Sequence, residues 1–350
     1  MSYFRTNIEK MSGYAPGEQP QEAGFIKLNT NESPYPPPPA VLRAVRAAAG
    51  ADLRLYPDPM ANAVRRKVAE TFGTKPERVL VGNGSDDLLT MILRGIVGPG
   101  RIVAYPVPTY SLYSTLAKIE KARAREVPFP DDFSLPAGLF RSGAAATIIA
   151  NPNSPTGTMV SNTALSRLAR AVSGVLVVDE AYADFADGDA MSLVEKHPNV
   201  ILLRTFSKSF SLCGIRLGYA VAREDIIEGL AKVKDSYNVN RLAIVAGVAA
   251  LENIEAMRAN AQRVRRTRAR LTAALEKLGW FVYPSQSNFV FARVKGPLTA
   301  RQVYEELKRR KILIRYFDAP GLDDGLRISI GSEREIGALV REFKDIKAKG

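Results

Sequence analysis

The chain has 350 residues, of which 46% are hydrophobic and 24% charged, and this composition suits a globular protein with one large and one smaller domain. No apolar run is long enough to cross a bilayer, and a single cysteine, Cys213, excludes an internal disulfide framework. The opening residues, MSYFRTNIEK, lack the apolar core of a secretion signal, so we expect a cytoplasmic protein with no membrane partner.

The net charge of +13 is compatible with a nucleic-acid partner, with anionic substrates or with a basic surface alone. The densest basic run, Arg263–Arg270, lies in a predicted long helix from Ala243 to Leu278. Because Val264 and Leu271 flank this run at helical spacing, it is typical of the solvated side of an amphipathic helix. No aromatic residues interleave with it as a base-stacking surface requires, so we predict no nucleic-acid partner.

The first 30 residues have little periodicity and contain several glycines and prolines, which predicts an N-terminal arm that joins the small domain. The proline run at 36–39 predicts a rigid, extended link after it. We predict a large domain over residues 31–240 and a small one over 241–350.

Short apolar runs alternate with helical patterns through the predicted large domain. The strands predicted there are Arg78–Val81, Arg101–Tyr105, Arg123–Val127, Thr147–Ala150, Val175–Val178, Val200–Arg204 and Gly218–Ala222. The helices predicted between them are Asp86–Val97, Tyr110–Lys118, Ala164–Val172 and Glu224–Lys232. This alternation predicts an α/β fold with a mostly parallel, seven-stranded sheet covered on both faces. Strands predicted at Phe281–Tyr283, Asn288–Arg293, Ile312–Arg315 and Arg327–Ile330 indicate the smaller α/β domain.

Two ionisable residues follow neighbouring predicted strands, and ligands of such sheets bind at the carboxyl ends of the strands. Asp179 ends Val175–Val178, where a buried carboxylate is unfavourable unless it meets a cation, although capping of the next helix is a common alternative. Lys208 follows Val200–Arg204 among apolar residues and small hydroxyls. A lysine desolvated in such a place has a lowered pKa and suits Schiff-base chemistry, whereas the usual alternative is a surface lysine.

Further residues at the same sheet edge suit an anionic, planar ligand. Arg216 lies in an apolar, glycine-flanked segment and needs an anion such as phosphate. The turn Gly82–Asp86 precedes a helix and offers free N–H groups, although such turns alone are a weak signal. The rigid loop Asn151–Gly157 and the ring of Tyr110 lie near the same edge. An amine, a carboxylate, phosphate donors and a stacking ring together match pyridoxal 5'-phosphate.

At this point the chain resembles the class-II, fold-type-I aminotransferases that depend on pyridoxal phosphate, and within them the histidinol-phosphate aminotransferase family. The resemblance covers nearly the whole chain and implies an aspartate-aminotransferase-like fold. Its most specific motifs are Leu28–Pro34 (LNTNESP), Arg54–Asp58 (RLYPD), Asn151–Gly157 (NPNSPTG), Asp179–Tyr182 (DEAY), Ser207-Lys208 and Leu326–Gly331 (LRISIG).

The resemblance implies a role for each matching residue. Lys208 forms the Schiff base and moves the substrate proton, Asp179 keeps the ring nitrogen protonated, and Tyr182 donates a hydrogen bond to the 3' oxygen. Tyr110 stacks on the ring, and Tyr56 reaches the cofactor phosphate from the other subunit of a homodimer. The remaining phosphate ligands that it implies are Ser85, Asp86, Ser207 and Arg216.

One position departs from the family pattern. Many relatives carry an asparagine before Pro-Thr-Gly, where this chain has Ser154, so Asn153 is assigned to the 3' oxygen instead. For the substrate, the resemblance assigns Arg327 and Arg315 to its anionic groups and Tyr14 to closure over the site. Asn31 joins them as a substrate-binding residue. His197, in a polar loop, is expected at the surface and outside the mechanism.

The implied reaction is transamination between glutamate and 2-oxoglutarate on one side and histidinol phosphate and imidazole acetol phosphate on the other, in L-histidine biosynthesis. Two alternatives share the cofactor apparatus: an aromatic amino-acid aminotransferase and a threonine-phosphate decarboxylase. A third, a nucleic-acid-binding regulator with an aminotransferase-like domain, needs an appended module for which we expect no room in 350 residues.

Overall fold

The structure is a computed structural model that describes residues 2–14 and 16–349. Its strands are β1 Ile26–Lys27, β2 Val79–Gly82, β3 Ile102–Val107, β4 Arg123–Pro128, β5 Ala146–Ala150, β6 Val175–Asp179, β7 Val200–Thr205, β8 Gly218–Val221, β9 Phe281–Val282, β10 Phe289–Arg293, β11 Ile312–Leu313, β12 Arg315–Tyr316 and β13 Gly325–Ser329. Its α-helices are α1 Thr6–Glu9, α2 Pro39–Ala48, α3 Asn62–Phe72, α4 Ser85–Ile92, α5 Leu112–Ile119, α6 Asn162–Ala171, α7 Met191–Lys196, α8 Glu224–Ala231, α9 Arg241–Glu252, α10 Ile254–Lys277, α11 Ala300–Arg309 and α12 Glu333–Lys349.

The largest sheet contains seven of the described strands in the order β2-β8-β7-β6-β5-β3-β4. Strand β8 runs antiparallel to both its neighbours, and every other pair is parallel. The predicted mostly parallel, seven-stranded α/β sheet is therefore confirmed. The central strands β5 and β7 are buried along their whole length, which explains why they are continuous apolar runs.

Both faces of this sheet carry a hydrophobic core. Val178 and Leu202 pack into one buried cluster, whereas their neighbours Val177 and Ile201 pack into another. Because successive side chains of a strand point to opposite faces, the two clusters lie on the two sides of the sheet. Packing on both faces holds the strands in place, so the strand ends from which the loops at the carboxyl edge begin have defined positions.

Two smaller sheets follow in the C-terminal part of the chain. One is antiparallel, with the order β12-β13-β10-β9, and the other pairs β1 of the N-terminal segment with β11 in parallel. The single strand predicted over Ile312–Arg315 is therefore wrong, since Ile314 separates two short strands that belong to different sheets. The N-terminal segment also contains helix α1, where the Asn7 amide donates to the Lys118 carbonyl at 2.8 Å.

The single long helix predicted from Ala243 to Leu278 is also wrong. Helix α9 ends at Glu252 and α10 begins at Ile254, and Asn253 between them has φ −111° and ψ 33°. Its side-chain amide donates to the Ala249 carbonyl at 2.8 Å and so satisfies the end of α9. None of the described helices combines the length and apolar character needed to span a bilayer.

The basic run on α10 is partly used inside the chain. Arg265 pairs with Asp187, and Arg270 pairs with Glu333 at 2.9 Å. The guanidinium of Arg268 donates to the Ser287 carbonyl at 2.7 Å, and burial lowers the pKa of this arginine to about 10. These bonds tie α10 to the loops around it, so this side of the helix is more than a solvated face.

Candidate active site

A cavity of about 600 Å³ opens where β5, β6 and β7 end and where α4 begins. Most of the residues predicted for the site line it together, although they come from distant parts of the chain. The predicted residues that line it are Tyr14, Asn31, Ser85, Asp86, Tyr110, Asp179, Tyr182, Ser207, Lys208, Arg216, Arg315 and Arg327.

Asp179 is the buried carboxylate at the end of β6. The Tyr113 hydroxyl donates to its Oδ2 at 2.7 Å, and the Ala181 N–H donates to its Oδ1 at 3.2 Å. Burial raises its pKa to about 6, and among the described residues it has no ion-pair partner. A cationic ring nitrogen beside Asp179 would stabilise the ionised carboxylate, so this position suits the pyridine ring of pyridoxal phosphate.

Tyr113 is a site residue that the sequence reasoning missed. It is fully buried and lines the cavity next to the Tyr110 ring, whose centroid lies 5.6 Å away. Its spacing of three residues from Tyr110 within the predicted helix Tyr110–Lys118 was only a weak signal, because the observed helix α5 begins at Leu112.

Lys208 lies in the loop after β7, and its amine donates to the Thr30 carbonyl at 3.2 Å. The same amine lies 5.8 Å from the centroid of the Tyr182 ring. The Asn31 amide donates to the Tyr182 hydroxyl at 3.0 Å, and the Ser329 hydroxyl donates to Asn31 Oδ1 at 2.9 Å. Asn31, predicted as a substrate ligand, therefore also orients Tyr182.

A group of hydrogen-bond donors surrounds the start of α4. The Arg216 guanidinium donates to Ser207 Oγ at 3.2 Å and to Asp86 Oδ2 at 3.4 Å. A Cβ atom on Gly84 would lie 2.7 Å from Arg216 Nη2, and one on Gly218 would lie 2.7 Å from the Ser85 nitrogen. Only glycine leaves this space open, and N–H, hydroxyl and guanidinium donors around it suit a phosphate group.

Tyr110 forms part of the cavity wall. Its hydroxyl donates to Asp86 Oδ1 at 3.3 Å, and the Tyr14 ring meets it edge-on at a centroid distance of 5.9 Å. Burial is the main cause of the raised pKa of Tyr110, and the negative charge of the nearby Asp86 carboxylate raises this pKa further. The ring is therefore neutral at physiological pH and can stack on a planar ligand.

Arg327, on β13, is a half-buried cation without a carboxylate partner among the described residues. Its Nη1 donates to Ser154 Oγ at 3.2 Å and its Nη2 donates to the Asn29 carbonyl at 2.9 Å, whereas its Nε has no acceptor. Burial lowers the pKa of this guanidinium, and the charge of Arg315 lowers it further. Two cations that share one wall of the cavity without counterions need an anionic ligand.

Two predicted residues do not reach the cavity of their own chain. Asn153 is buried in its loop, where its amide donates to the Pro108 carbonyl at 3.1 Å and to Thr156 Oγ1 at 3.0 Å. These bonds turn its side chain away, so its assignment to the 3' oxygen lacks support, and Ser154 lines the cavity instead. Tyr56 is 78% exposed and stacks on Tyr237 at a centroid distance of 4.4 Å.

His197 differs from its predicted surface position. It is only 8% exposed, and its Nε2 lies 2.7 Å from the Ser166 hydroxyl. Burial lowers its pKa. The ring is outside the cavity lining, so it serves packing between α6 and the loop before β7.

Comparisons with known proteins agree with this geometry. The profile of the family "Aminotransferase class I and II" matches residues 23–343. A histidinol-phosphate aminotransferase 1 of Trichormus variabilis is 44% identical over 99% of this chain and 99% of its own length. The crystal structure of a histidinol-phosphate aminotransferase from Sinorhizobium meliloti in complex with pyridoxal-5'-phosphate has a TM-score of 0.90 at 28% identity, with 100% and 98% of the two chains covered. An aspartate aminotransferase of Thermus thermophilus shares the fold, with a TM-score of 0.83 at 23% identity over 98% of this chain and 99% of the other.

Proposed function

This chain belongs to the class I and II aminotransferase family, and on that premise we propose that it is a transaminase of histidinol phosphate. It exchanges an amino group between histidinol phosphate and 2-oxoglutarate, with imidazole acetol phosphate and glutamate as the products. The cofactor is pyridoxal 5'-phosphate. The reaction serves L-histidine biosynthesis.

The observation that carries this proposal is the unpaired guanidinium of Arg327 in the cavity that also contains the Lys208 amine. Partial burial removes water from this cation, and an anion that accepts its remaining hydrogen bond compensates for that loss. The α-carboxylate of glutamate and the phosphate of histidinol phosphate both fit a planar guanidinium, and Arg315 adds a second cation. One anion subsite thus serves both halves of the reaction.

The residues of the cavity provide a position for each part of the cofactor. The backbone N–H groups of Ser85 and Asp86, together with Ser207 and Arg216, would hold the phosphate. Asp179 would lie beside the ring nitrogen, and Tyr182 would donate to the 3' oxygen. When bound, pyridoxal phosphate supplies an aldehyde that links to amines and a ring that takes up electrons from the substrate α-carbon.

Side chains of the protein would transfer the proton and stabilise the positive charge. The Lys208 amine, which lies at the carboxyl edge of the sheet beside Tyr182, would take the proton from the substrate α-carbon and deliver it to the C4′ carbon of the cofactor. The ionised Asp179 carboxylate keeps a cation beside it, and Tyr113 fixes the direction of that carboxylate. Tyr110 would stack on the cofactor ring, and Tyr14, whose ring meets Tyr110 edge-on at 5.9 Å, would close over the substrate.

The proposal extends to the assembly and to the division of the chain. We infer a cytoplasmic homodimer in which the exposed Tyr56 reaches the phosphate site of the other subunit. Residues 31–240 form the cofactor-binding domain and residues 241–350 the small domain, and residues 1–30 join the latter as an arm. The pairing of β1 with β11 supports the last assignment.

A substrate panel on the purified protein with pyridoxal phosphate tests the proposal. We expect glutamate release from histidinol phosphate and 2-oxoglutarate with a higher kcat/KM than for phenylalanine, and no carbon dioxide from threonine phosphate. A higher kcat/KM for phenylalanine would favour the aromatic aminotransferase. Carbon dioxide release without glutamate would favour the decarboxylase.

A further inference from the structure

A buried ionic cluster lies just outside the cavity, and the proposed reaction makes no direct use of it. Arg204, only 4% exposed, lies 2.8 Å from Glu180, 3.1 Å from Asp184 and 3.0 Å from Asp189. We call these four residues the Arg204 cluster. None of them lines the cavity.

The Arg204 cluster contacts the chain neighbours of both catalytic residues. Glu180 directly follows Asp179, and since successive side chains of an extended chain point to opposite sides, Asp179 faces the cavity while Glu180 faces Arg204. In the loop after β7, Ser209 directly follows Lys208, and its hydroxyl donates to Asp184. The loop after β6 is thus bonded to β7 through the Arg204 guanidinium and to the loop after β7 through Asp184 and Ser209.

We propose that Arg204 is a positioning residue, which fixes the Asp179 carboxylate and the Lys208 amine relative to each other by clamping the loops that carry them. This inference deepens the proposed function and rests on it. The guanidinium donates from Nε to Glu180 at 2.9 Å and from Nη1 to Asp184 at 3.1 Å, so a shift of the loop after β6 breaks two charge-assisted hydrogen bonds at once. Ser209 is the chain neighbour of Lys208, and its hydrogen bond to Asp184 connects the Lys208 loop to the cluster.

A purely stabilising role is the alternative. Buried ion pairs are inefficient stabilisers, because desolvation offsets much of their attraction, and apolar replacements of similar volume are often neutral. Removal of Arg204 alone leaves the Glu180 carboxylate buried without its counterion, so Arg204→Met should lose stability even with the Phe72 ring 5.5 Å from the guanidinium carbon. Removal of the Ser209 hydroxyl leaves every ion pair of the cluster in place. Positioning and stability can therefore be separated by substitution.

Three variants make this separation. Arg204→Met removes the clamp and keeps an apolar side chain of similar length, and Ser209→Ala removes only the hydrogen bond that links the Lys208 loop to the cluster. Arg310→Met is the matched control, because Arg310 pairs with Glu306 at 2.7 Å and with Glu342 at 2.5 Å, away from the cavity lining. For each variant with bound pyridoxal phosphate we measure kcat, KM, Tm and the pH at which the visible absorption band titrates.

We expect Arg204→Met to lower kcat by more than about tenfold, since a misplacement near 1 Å can reduce a rate by about 100-fold. Ser209→Ala lowers kcat less, and both variants move the titration midpoint of the visible band. Arg310→Met lowers Tm but changes neither kcat nor the midpoint.

The inference is overturned if Ser209→Ala and Arg204→Met keep the wild-type kcat and midpoint, whatever their Tm. If Arg204→Met does not fold, Ser209→Ala decides alone. A wild-type protein without a visible band or activity would instead refute the proposed function, so the two failures are distinguishable.

Discussion

Asp179 is deeply buried and accepts hydrogen bonds, but among the residues that the structure describes it has no cationic partner. This determines how it titrates in the protein without cofactor. Burial raises its pKa from 3.8 to about 6, against the lowering effect of the Tyr113 hydroxyl and the Ala181 N–H. Between these two pH values the folded chain binds a proton that the unfolded chain has released. Folding stability from this group is therefore present at low pH and is lost as pH rises toward about 6.

A comparison with Asp179→Asn tests this pH dependence at the residue scale. As pH rises from about 4 to 6, the cofactor-free wild type should lose about 2 kcal/mol of unfolding free energy relative to the variant. Tyr113→Phe should enlarge the loss, because removal of the hydroxyl donor raises the Asp179 pKa further. Chemical denaturation across this pH range measures the difference. Equal slopes for all three proteins would contradict the account.

At the scale of elements, the phosphate site depends on how closely β8 passes the start of α4. A Cβ atom on Gly218 would lie 2.7 Å from the Ser85 nitrogen, 2.8 Å from the Gly84 carbonyl carbon and 2.9 Å from the Arg204 carbonyl oxygen. All three are backbone atoms, which cannot move aside as a flexible side chain does. The close approach therefore places the N–H groups of α4 at the end of the sheet.

Gly218→Ala should separate β8 from α4 and weaken cofactor binding. We expect a loss of about 1–3 kcal/mol in stability from overpacking and a higher Kd for pyridoxal phosphate. Gly229→Ala on α8 is the control, since a Cβ atom there meets nothing within 4 Å and alanine favours the helix. Titration with the cofactor followed by thermal melting measures both effects. Unchanged Kd and Tm in Gly218→Ala would show that the close approach is unimportant.

Local patterns predicted much of this fold from the sequence, because buried parallel strands are apolar runs bounded by turns and helices. These patterns failed where tertiary contacts determine the ends and the partners of an element. Ile312–Arg315 is one apolar run, but Ile312 pairs with Ile26 and Arg315 pairs with Arg327, so it divides between two sheets. The break between α9 and α10 depends on Asn253, whose side-chain amide bonds to the last turn of α9. The periodicity of hydrophobic residues alone does not reveal this break.

The candidate site was predictable to the extent that its residues follow strands. The direction in which a side chain points within a loop could not be predicted from the sequence. In the proline-rich loop the Asn153 side chain forms hydrogen bonds within the loop, whereas Ser154 lines the cavity. A comparison of motifs does not show which of the two side chains faces the cavity. Tyr113 was missed because its role depends on one long-range hydrogen bond to Asp179.

At the scale of the whole molecule, an exposed apolar surface surrounds Tyr56. Leu53 is 53% exposed, Leu55 is 45% exposed, and Tyr237 stacks on Tyr56 while remaining 46% exposed. Grouped exposed apolar side chains are typical of surfaces that another chain covers. This supports the proposed homodimer, in which Tyr56 completes the phosphate site of the other subunit.

Subunit exchange between two inactive variants tests the shared site. Lys208→Ala and Tyr56→Ala homodimers should each have low activity, and a mixed dimer should regain one intact site from the Lys208 of one chain and the Tyr56 of the other. We expect activity to rise after co-refolding of the two variants and to remain low when each is refolded alone. No recovery despite confirmed mixed dimers would contradict the assignment of Tyr56 to the other subunit.

The central claim is that the Lys208 amine carries the cofactor, and borohydride reduction followed by peptide mass mapping tests it most directly. The account predicts that the holoprotein loses its visible band on reduction and gains the mass of reduced pyridoxal phosphate on the peptide containing Lys208. Lys208→Ala should show neither the band nor the added mass, and its turnover should fall to background. Added mass on a different lysine, or full activity of Lys208→Ala, would contradict it.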